Sequence, residues 1–289
     1  MSTQRIAIVG PGLLGGSIAL ALRGRPGFST ALWARRPEAV EELKAIAIAG
    51  YAATSLARVV RDADLIVLCT PIETMPALAR EIVDAARPEA IVTDVGSVKA
   101  PVVAALGAIF RGRQRFVGSH PMAGSEQTGL RAARADLFRG AVCLVTPEAE
   151  TDPAATATVG AFWETLGCSV RQLSPAAHDE AVALISHFPH LLAATLVNVV
   201  AGTSADAFAV CGPGFRDTTR VSGGAPDLWA GILAANAPAI HRALDATIAK
   251  LQEIGNILAR DPTDPAIHAF LTQAKTHRDA LRSPPSAHV

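Results

Sequence analysis

Cysteine is scarce in this 289-residue chain, and Cys69, Cys143, Cys168 and Cys211 are too widely spaced to form a CxxC pair or a metal-ligand rhythm. Cys69 in DLIVLCT and Cys143 in AVCLV lie in strand-like runs, where a thiol serves as a small apolar filler. The expectation is therefore buried free thiols in a reducing cytoplasm. An excess of charge is missing too. Lys plus Arg number 26 and Asp plus Glu number 26, so no global field favours nucleic acid or a membrane surface. No charged leader with an apolar segment is expected before the first strand, and no uninterrupted apolar run is expected to reach the length of a membrane span. Repeats and low-complexity linkers are absent. What remains is length for one large domain or two ordinary ones, with half of the residues apolar.

The first half alternates strand-like and helix-like stretches. RIAIVG is a short β-rich run, and LLGGSIALALRG after it is apolar all round, as in a buried helix. STALWA reads as a second strand, followed by a helix opened by Pro37 with Glu38, Glu41 and Glu42 in its first turns. DLIVLCTP, AIVTDVGS and RFVGSHP are further strands that break into loops at Pro, Gly or Ser. Strands apolar on both faces with helices between them predict an α/β domain, a Rossmann-type doubly wound parallel sheet. AVCLVTP and CSVRQLS read as additional edge strands. From about Pro175 the apolar spacing turns helical and stays so to about Arg282, with a loosely attached tail, SPPSAHV. The predicted division is a dinucleotide-binding domain over 1–173 and an all-helical substrate and dimerisation domain over 174–289. That helical part is apolar beyond one stripe, which predicts a homodimer formed through it.

VGPGLLGGS places Gly10, Gly12 and Gly15 in the GxGxxG pattern between a strand and a helix. The first glycine permits a tight turn, the second lets the backbone approach a pyrophosphate and the third allows close packing of strand and helix. The amides of Gly12, Leu13, Leu14 and Gly15 would then face the anion at the helix N-terminus. An NAD-selective site carries an acid about 20 residues on, at the end of the second strand. Here LWARRPE puts Ala34 in that place, with Arg35 and Arg36 next. Two guanidiniums and no carboxylate suit a 2′-phosphate, so NADP is favoured, with NAD possible.

GSHPMAGSE, residues 118–126, raises a separate question, because it holds a histidine stiffly before a proline in what reads as a loop. Pro121 biases His120 toward extended backbone angles, and histidine titrates near working pH, as a general base should. Further on, SHFPH places Ser186 and His190 four apart, on one face of a helix that Pro189 should kink at a cost of about 3 kcal/mol. GPGFRDTTR places Arg216 and Arg220 four apart, a pair of cations suited to a dicarboxylate.

Together GPGLLGGS, LCTPI, TDVGSVK, GSHPMAGSE, SHFPH and RDTTR resemble, in order and spacing over about residues 5–260, the prephenate and arogenate dehydrogenases of tyrosine biosynthesis. The resemblance implies oxidation of a ring alcohol by a nicotinamide cofactor with loss of the ring carboxylate. It implies that His120 is the catalytic base and that Ser97 lies between nicotinamide and substrate hydroxyl. Ser97 also suits a helix N-cap. Thr70 and Pro71 match a loop flanking the cofactor's adenosine half. Ser125 and Glu126 match a substrate-side pair, with Glu126 available for a gating ion pair. Ser186 and His190 would face the substrate, Arg220 would grip the ring carboxylate, and Arg216 stands where some relatives have lysine. Trp229 in PDLWAGIL matches an aromatic near the neighbouring subunit's site. Prephenate is the expected substrate and arogenate the alternative, alone or as a second substrate. A β-hydroxyacid reductase is disfavoured, since Lys250 is the only lysine between residues 100 and 274. A dinucleotide-sensing regulator without turnover would have no need of His120. No fused mutase domain or regulatory extension is expected.

Overall fold

The computed structural model describes residues 3–112 and 115–281. Arg282 and the tail from Ser283 lie outside the described residues. Eight strands form one sheet in the order β3-β2-β1-β4-β5-β6-β7-β8. The nucleotide-binding half runs β1 (Gln4–Val9), α1 (Leu13–Leu22), β2 (Phe28–Trp33), α2 (Pro37–Ala45), β3 (Tyr51–Ala53), α3 (Leu56–Val60), β4 (Leu65–Leu68), α4 (Met75–Ala85), β5 (Ile91–Asp94), α5 (Ala100–Phe110) and β6 (Arg115–Pro121). These six strands are parallel. β7 (Val142–Thr146) then runs antiparallel to β6, and α6 (Pro153–Thr165) leads to β8 (Ser169–Gln172), parallel to β7. The short edge strand β3 gave no sequence signal, since its three residues are too few for a period.

Buried aliphatic residues cover both faces of the sheet. Ile6, Ile8, Leu65 and Val67 pack on one side and Ala7, Val9, Ile66 and Leu68 on the other. Alternate side chains of a strand point to opposite faces, so strands apolar at every position need cover on both. The order reverses between β1 and β4, which opens the crevice beyond their carboxyl ends where such sheets take ligands.

The helical part follows as α7 (Pro175–Val182), a π turn (Ala183–His187), α8 (Phe188–Thr203), α9 (Ala205–Ala209), α10 (Pro213–Thr219), α11 (Pro226–Ala235), α12 (Ala237–Arg260) and α13 (Pro265–Ala280). Residues up to Ile240 form one compact unit and those from His241 a second. The division read from the sequence, at 173/174, falls between β8 and α7.

Two expectations change here. Pro189 is not inside a continuous α-helix. The π turn ends at His187 and Pro189 lies in the first turn of α8, where no backbone donor is required. The mid-helix penalty is thereby avoided, and the four-residue spacing of Ser186 and His190 no longer guarantees a shared face. Second, Pro175–Thr203 is one run long and apolar enough, by length and composition, to cross a membrane. The π turn joins two helices that separately fall short. The run also carries buried His178, Asp179, His187 and His190, and Asp179 bonds the amides that open α5.

Candidate functional site

The turn after β1 has the form a pyrophosphate requires. Gly10 has φ 108°, and a Cβ there would lie 2.8 Å from the Cys69 carbonyl oxygen. A Cβ on Gly15 would lie 2.0 Å from the Gly10 carbonyl oxygen, so only glycine lets α1 start this close to β1. α1 has no side-chain cap on Gly12 and no acid in its first turn. Its opening amides, those of Leu13 and Leu14 among them, remain available to an anion. Thr70, after β4, packs beside Gly10, and its buried Oγ1 has no partner among the described residues. Pro71 follows, exposed. Ala34 is buried at the end of β2, with Arg35 and Arg36 exposed beyond it. A glycine cradle, an orphaned hydroxyl and two exposed cations fit a dinucleotide.

His120 is not a loop residue. It is the sixth residue of β6, paired with Leu144 of β7, and is 8% exposed. The expectation of a loop failed because Pro121 reads as a strand breaker, yet here it closes the ladder opposite Cys143. Strand alternation sends Ser119 and His120 to opposite faces. On one face the Ser119 hydroxyl donates to the Asp94 carbonyl oxygen at 2.6 Å and accepts from Trp163 Nε1 at 2.9 Å. On the other, His120 Nδ1 meets His178 Nε2 at 2.9 Å, and His178 Nδ1 meets Asp179 Oδ1 at 2.8 Å.

α7 starts where it does because Ser174 caps it, accepting from the Ala177 amide at 3.2 Å, with Pro175 in the first turn. That places His178 and Asp179 one turn in. Asp179 accepts from the Lys99 amide at 2.7 Å and the Ala100 amide at 2.8 Å, so it caps α5 from another helix. This is the role the sequence offered to Ser97, which lies half-buried in the turn between β5 and α5. Lys99 is fully buried, ion-paired with Asp94, and donates to the Ser119 carbonyl oxygen at 3.0 Å.

Burial pulls His120 well below the ordinary histidine range, and the charge of Lys99, or a proton added to His178 or His187, pushes the same way. Burial also lowers His178, against the hydrogen bond to Asp179. For Asp179, burial raises the carboxyl, but hydrogen bonds from His178 and the amides of Lys99 and Ala100 outweigh it and hold it low. The row is therefore two neutral imidazoles ending on a carboxylate.

His187 and Asn236 extend it. Asn236 Nδ2 donates to the Asp179 carbonyl oxygen at 2.8 Å and to His187 Nδ1 at 3.1 Å. Burial lowers His187 to about 4, against the pull of Asp179. Trp229 packs edge-on to His187 and stacks on His190, with ring centroids 3.5 Å apart. Trp229 is only half-buried, so it is not a core tryptophan. Arg220 Nη1 donates to Glu126 Oε2 at 3.1 Å across an exposed pair. Ser125 accepts from the Gln127 amide at 3.1 Å, Ser186 is half-buried, and Arg216 is exposed.

The fold thus gathers His120, His190 and Trp229 around one network and pairs Glu126 with Arg220. Among the described residues, no hydrogen bond draws Arg216, Ser125 or Ser186 into that network. Sequence reasoning missed His178, Asp179, His187, Asn236 and Lys99. The available signal was polarity out of place, as in the lysine of VGSVKAPVVAAL. The thiols of Cys69 and Cys143 are pushed up by burial, which leaves them unsuited to nucleophilic work.

Residues 18–172 match the family model "Prephenate dehydrogenase, nucleotide-binding domain", and residues 174–273 match "Prephenate dehydrogenase, dimerization domain". A cyclohexadienyl dehydrogenase of Zymomonas mobilis is 32% identical over 97% of this chain and 97% of that protein. A prephenate dehydrogenase from Aquifex aeolicus, solved with hydroxyphenyl propionate and NAD+, superposes with a TM-score of 0.89 at 29% identity, over 97% of this chain and 99% of that one. An arogenate dehydrogenase of Synechocystis superposes with a TM-score of 0.82 at 32% identity, over 96% of this chain and 100% of that one.

Proposed function

The chain belongs to the prephenate dehydrogenase family of nicotinamide-dependent oxidoreductases, and from that premise we propose that it converts prephenate to 4-hydroxyphenylpyruvate, with NADP as hydride acceptor, in cytoplasmic tyrosine biosynthesis. The observation that carries this reading is His120, a buried imidazole held neutral at the end of β6. A neutral imidazole accepts a proton and an imidazolium does not.

A nicotinamide cofactor held by the glycine turn would supply the hydride acceptor for the ring carbon that bears the hydroxyl. The protein's part is to hold and move the hydroxyl proton. His120 Nε2 accepts it as the C–H pair leaves, and the oxygen becomes a ring carbonyl. The bond to the ring carboxylate then breaks, carbon dioxide departs, and the electron pair enters the ring. The resulting phenolate takes the proton back from His120, so no net proton remains on the enzyme. Aromatisation drives the second half, which leaves orientation as the main task of the site.

Arg220 would hold the ring carboxylate in a charge-assisted pairing, with Glu126 occupying that cation until substrate arrives. His190, stacked on Trp229, and Ser186 would face the side chain. Ser97 would stand between nicotinamide and hydroxyl, with Ser125 closing the loop side. Arg216 is a second cation for a dicarboxylate, and it favours prephenate because the arogenate side chain adds an ammonium beside its carboxylate. Gly10, Gly12, Leu13, Leu14, Gly15, Thr70 and Pro71 would hold the pyrophosphate and adenosine portions. Arg35 and Arg36 would hold the 2′-phosphate, since buried Ala34 offers no acceptor to ribose hydroxyls.

In this reading nucleotide binding belongs to 1–173, and 174–289 carries substrate contacts and a homodimer interface. The exposed Leu192, Leu196 and Val199 on α8 support the interface, as does the name of the matching family model. Free cysteines support a reducing cytoplasm.

Initial rates with purified protein, crossing prephenate and arogenate with NADP and NAD, test the proposal. The highest kcat/KM is expected for prephenate with NADP. A better rate for another pairing would replace the substrate or cofactor named here. Tight nucleotide binding without turnover in any pairing would overturn the enzyme reading in favour of a dinucleotide sensor.

A further inference from the structure

We infer that His178 and Asp179 are positioning residues: the pair holds His120 as the Nδ1–H tautomer and so makes Nε2 the atom that receives the substrate proton. This rests on the proposed role of His120 and adds to it the device that orients the base.

The proton count follows from the bonds. Ionised Asp179 is an acceptor only, so His178 Nδ1, 2.8 Å from Oδ1, must carry a hydrogen. His178 is neutral, so its Nε2 is a lone pair. His120 Nδ1, 2.9 Å from that lone pair, must then be the donor. A neutral His120 with its hydrogen on Nδ1 has a free lone pair on Nε2, and Nε2 has no hydrogen-bond partner among the described residues. The opposite tautomer would set two lone pairs against each other inside a buried contact. A carboxylate that fixes one ring nitrogen in this way also stabilises the imidazolium formed when the other accepts a proton.

The carboxylate end cannot easily drift. Asp179 is anchored by the amides of Lys99 and Ala100, and Asn236 holds its backbone carbonyl. The groups facing His120 are His178 from α7, Lys99 from the turn before α5, His187 from the π turn and Cys143 from β7. Of these only His178 bonds a His120 ring nitrogen.

A purely structural role is conceivable for Asp179, because it caps α5, but His178 contributes nothing to that cap. The informative substitutions are therefore at His178. His178→Phe fills the space and removes both ring nitrogens. His178→Gln restores an oxygen that can accept from His120 and an amide that can donate to Asp179. Two readouts apply to the full-length protein. One is kcat, KM and NADPH affinity across pH. The other is nitrogen-15 NMR of labelled histidine rings, which reports the tautomer without any substrate.

The expected result is a kcat lower by on the order of 10²-fold in His178→Phe, with KM and NADPH affinity unchanged. The acid limb of kcat should also move to lower pH, since the neutral acceptor that stabilises the His120 imidazolium has gone while burial remains. His178→Gln should recover most of the lost rate. The wild-type spectrum should show His120 protonated at Nδ1 alone, and His178→Phe should show a mixture of tautomers. A His178→Phe enzyme with wild-type kcat, or a wild-type His120 protonated at Nε2, overturns the inference. Should no pairing of substrate and cofactor turn over, the dehydrogenase reading fails, while the tautomer spectrum still decides the positioning role.

Discussion

His120 Nδ1 and His178 Nε2 lie 2.9 Å apart although 58 residues separate them in the chain. The contact joins the last residues of a parallel strand to the first turns of the helix that opens the helical part. Its consequence is that the orientation of one imidazole depends on both. An error in docking α7 against β6 and α5 would be felt at the proposed base, where a misplacement of about 1 Å can lower a rate by about 10²-fold.

Replacement of the proposed base comes first. His120→Asn should lower kcat by about 10² to 10⁴-fold, the usual contribution of general-base catalysis. NADPH affinity should be unchanged, because the glycine cradle lies on β1 and α1. Stopped-flow rates beside a fluorescence titration of NADPH check both halves. An unchanged kcat would remove His120 from the chemistry.

Stability should decline in mild acid because of the buried histidines. His187 is lowered to about 4 in the folded protein and is near 6.5 when unfolded. Between those values the unfolded chain binds a proton that the folded one does not, so stability is present above about pH 6.5 and is lost as pH falls toward 4. At about 1.36 kcal/mol per pH unit, the loss from His187 alone is on the order of 3 kcal/mol at pH 4. His120 and His178 are lowered in the same direction and add to it. Urea unfolding at a series of pH values should show this slope, and His187→Gln should make it shallower.

Arg35 and Arg36 should decide the cofactor. With both changed to alanine, the NADP dissociation constant should rise about 10 to 100-fold, as expected when hydrogen bonds to a charged group worth about 1.5–3 kcal/mol are lost. NAD affinity should hardly move. Calorimetric titration of the two nucleotides separates the outcomes, and equal losses for both would contradict a 2′-phosphate contact.

Lys99→Met should be among the most damaging changes in the chain. It leaves Asp94 buried without its cation, a defect that costs about 3–5 kcal/mol in comparable ion pairs. A loss of that size in the unfolding free energy from urea titration is expected, with little change for the exposed Lys44→Met, whose pairing with Glu41 is solvent-screened.

Much of this was legible in the residues. Gly10 and Gly15 announced the turn because only glycine tolerates those positions, and Ala34 with Arg35 and Arg36 sat at a countable distance. Where local rules were the whole argument, they failed at particular places. Pro121 was read as ending a strand that continues through it, and Pro189 as breaking a helix that had already changed its turn. Lys99, His178, Asp179 and Asn236 passed unnoticed because each is ordinary among its chain neighbours.

The sequence by itself determined the alternation of strands and helices and the glycine turn, since each depends on residues within a turn or two of one another. Tertiary structure alone decided which imidazole would be paired through His178 to a carboxylate. That outcome needs a carboxylate 59 residues from His120 in sequence (120 to 179), helix amides to hold it, and enough burial to keep both rings neutral. Desolvation is a property of everything packed around a group, and no local pattern of residues encodes it.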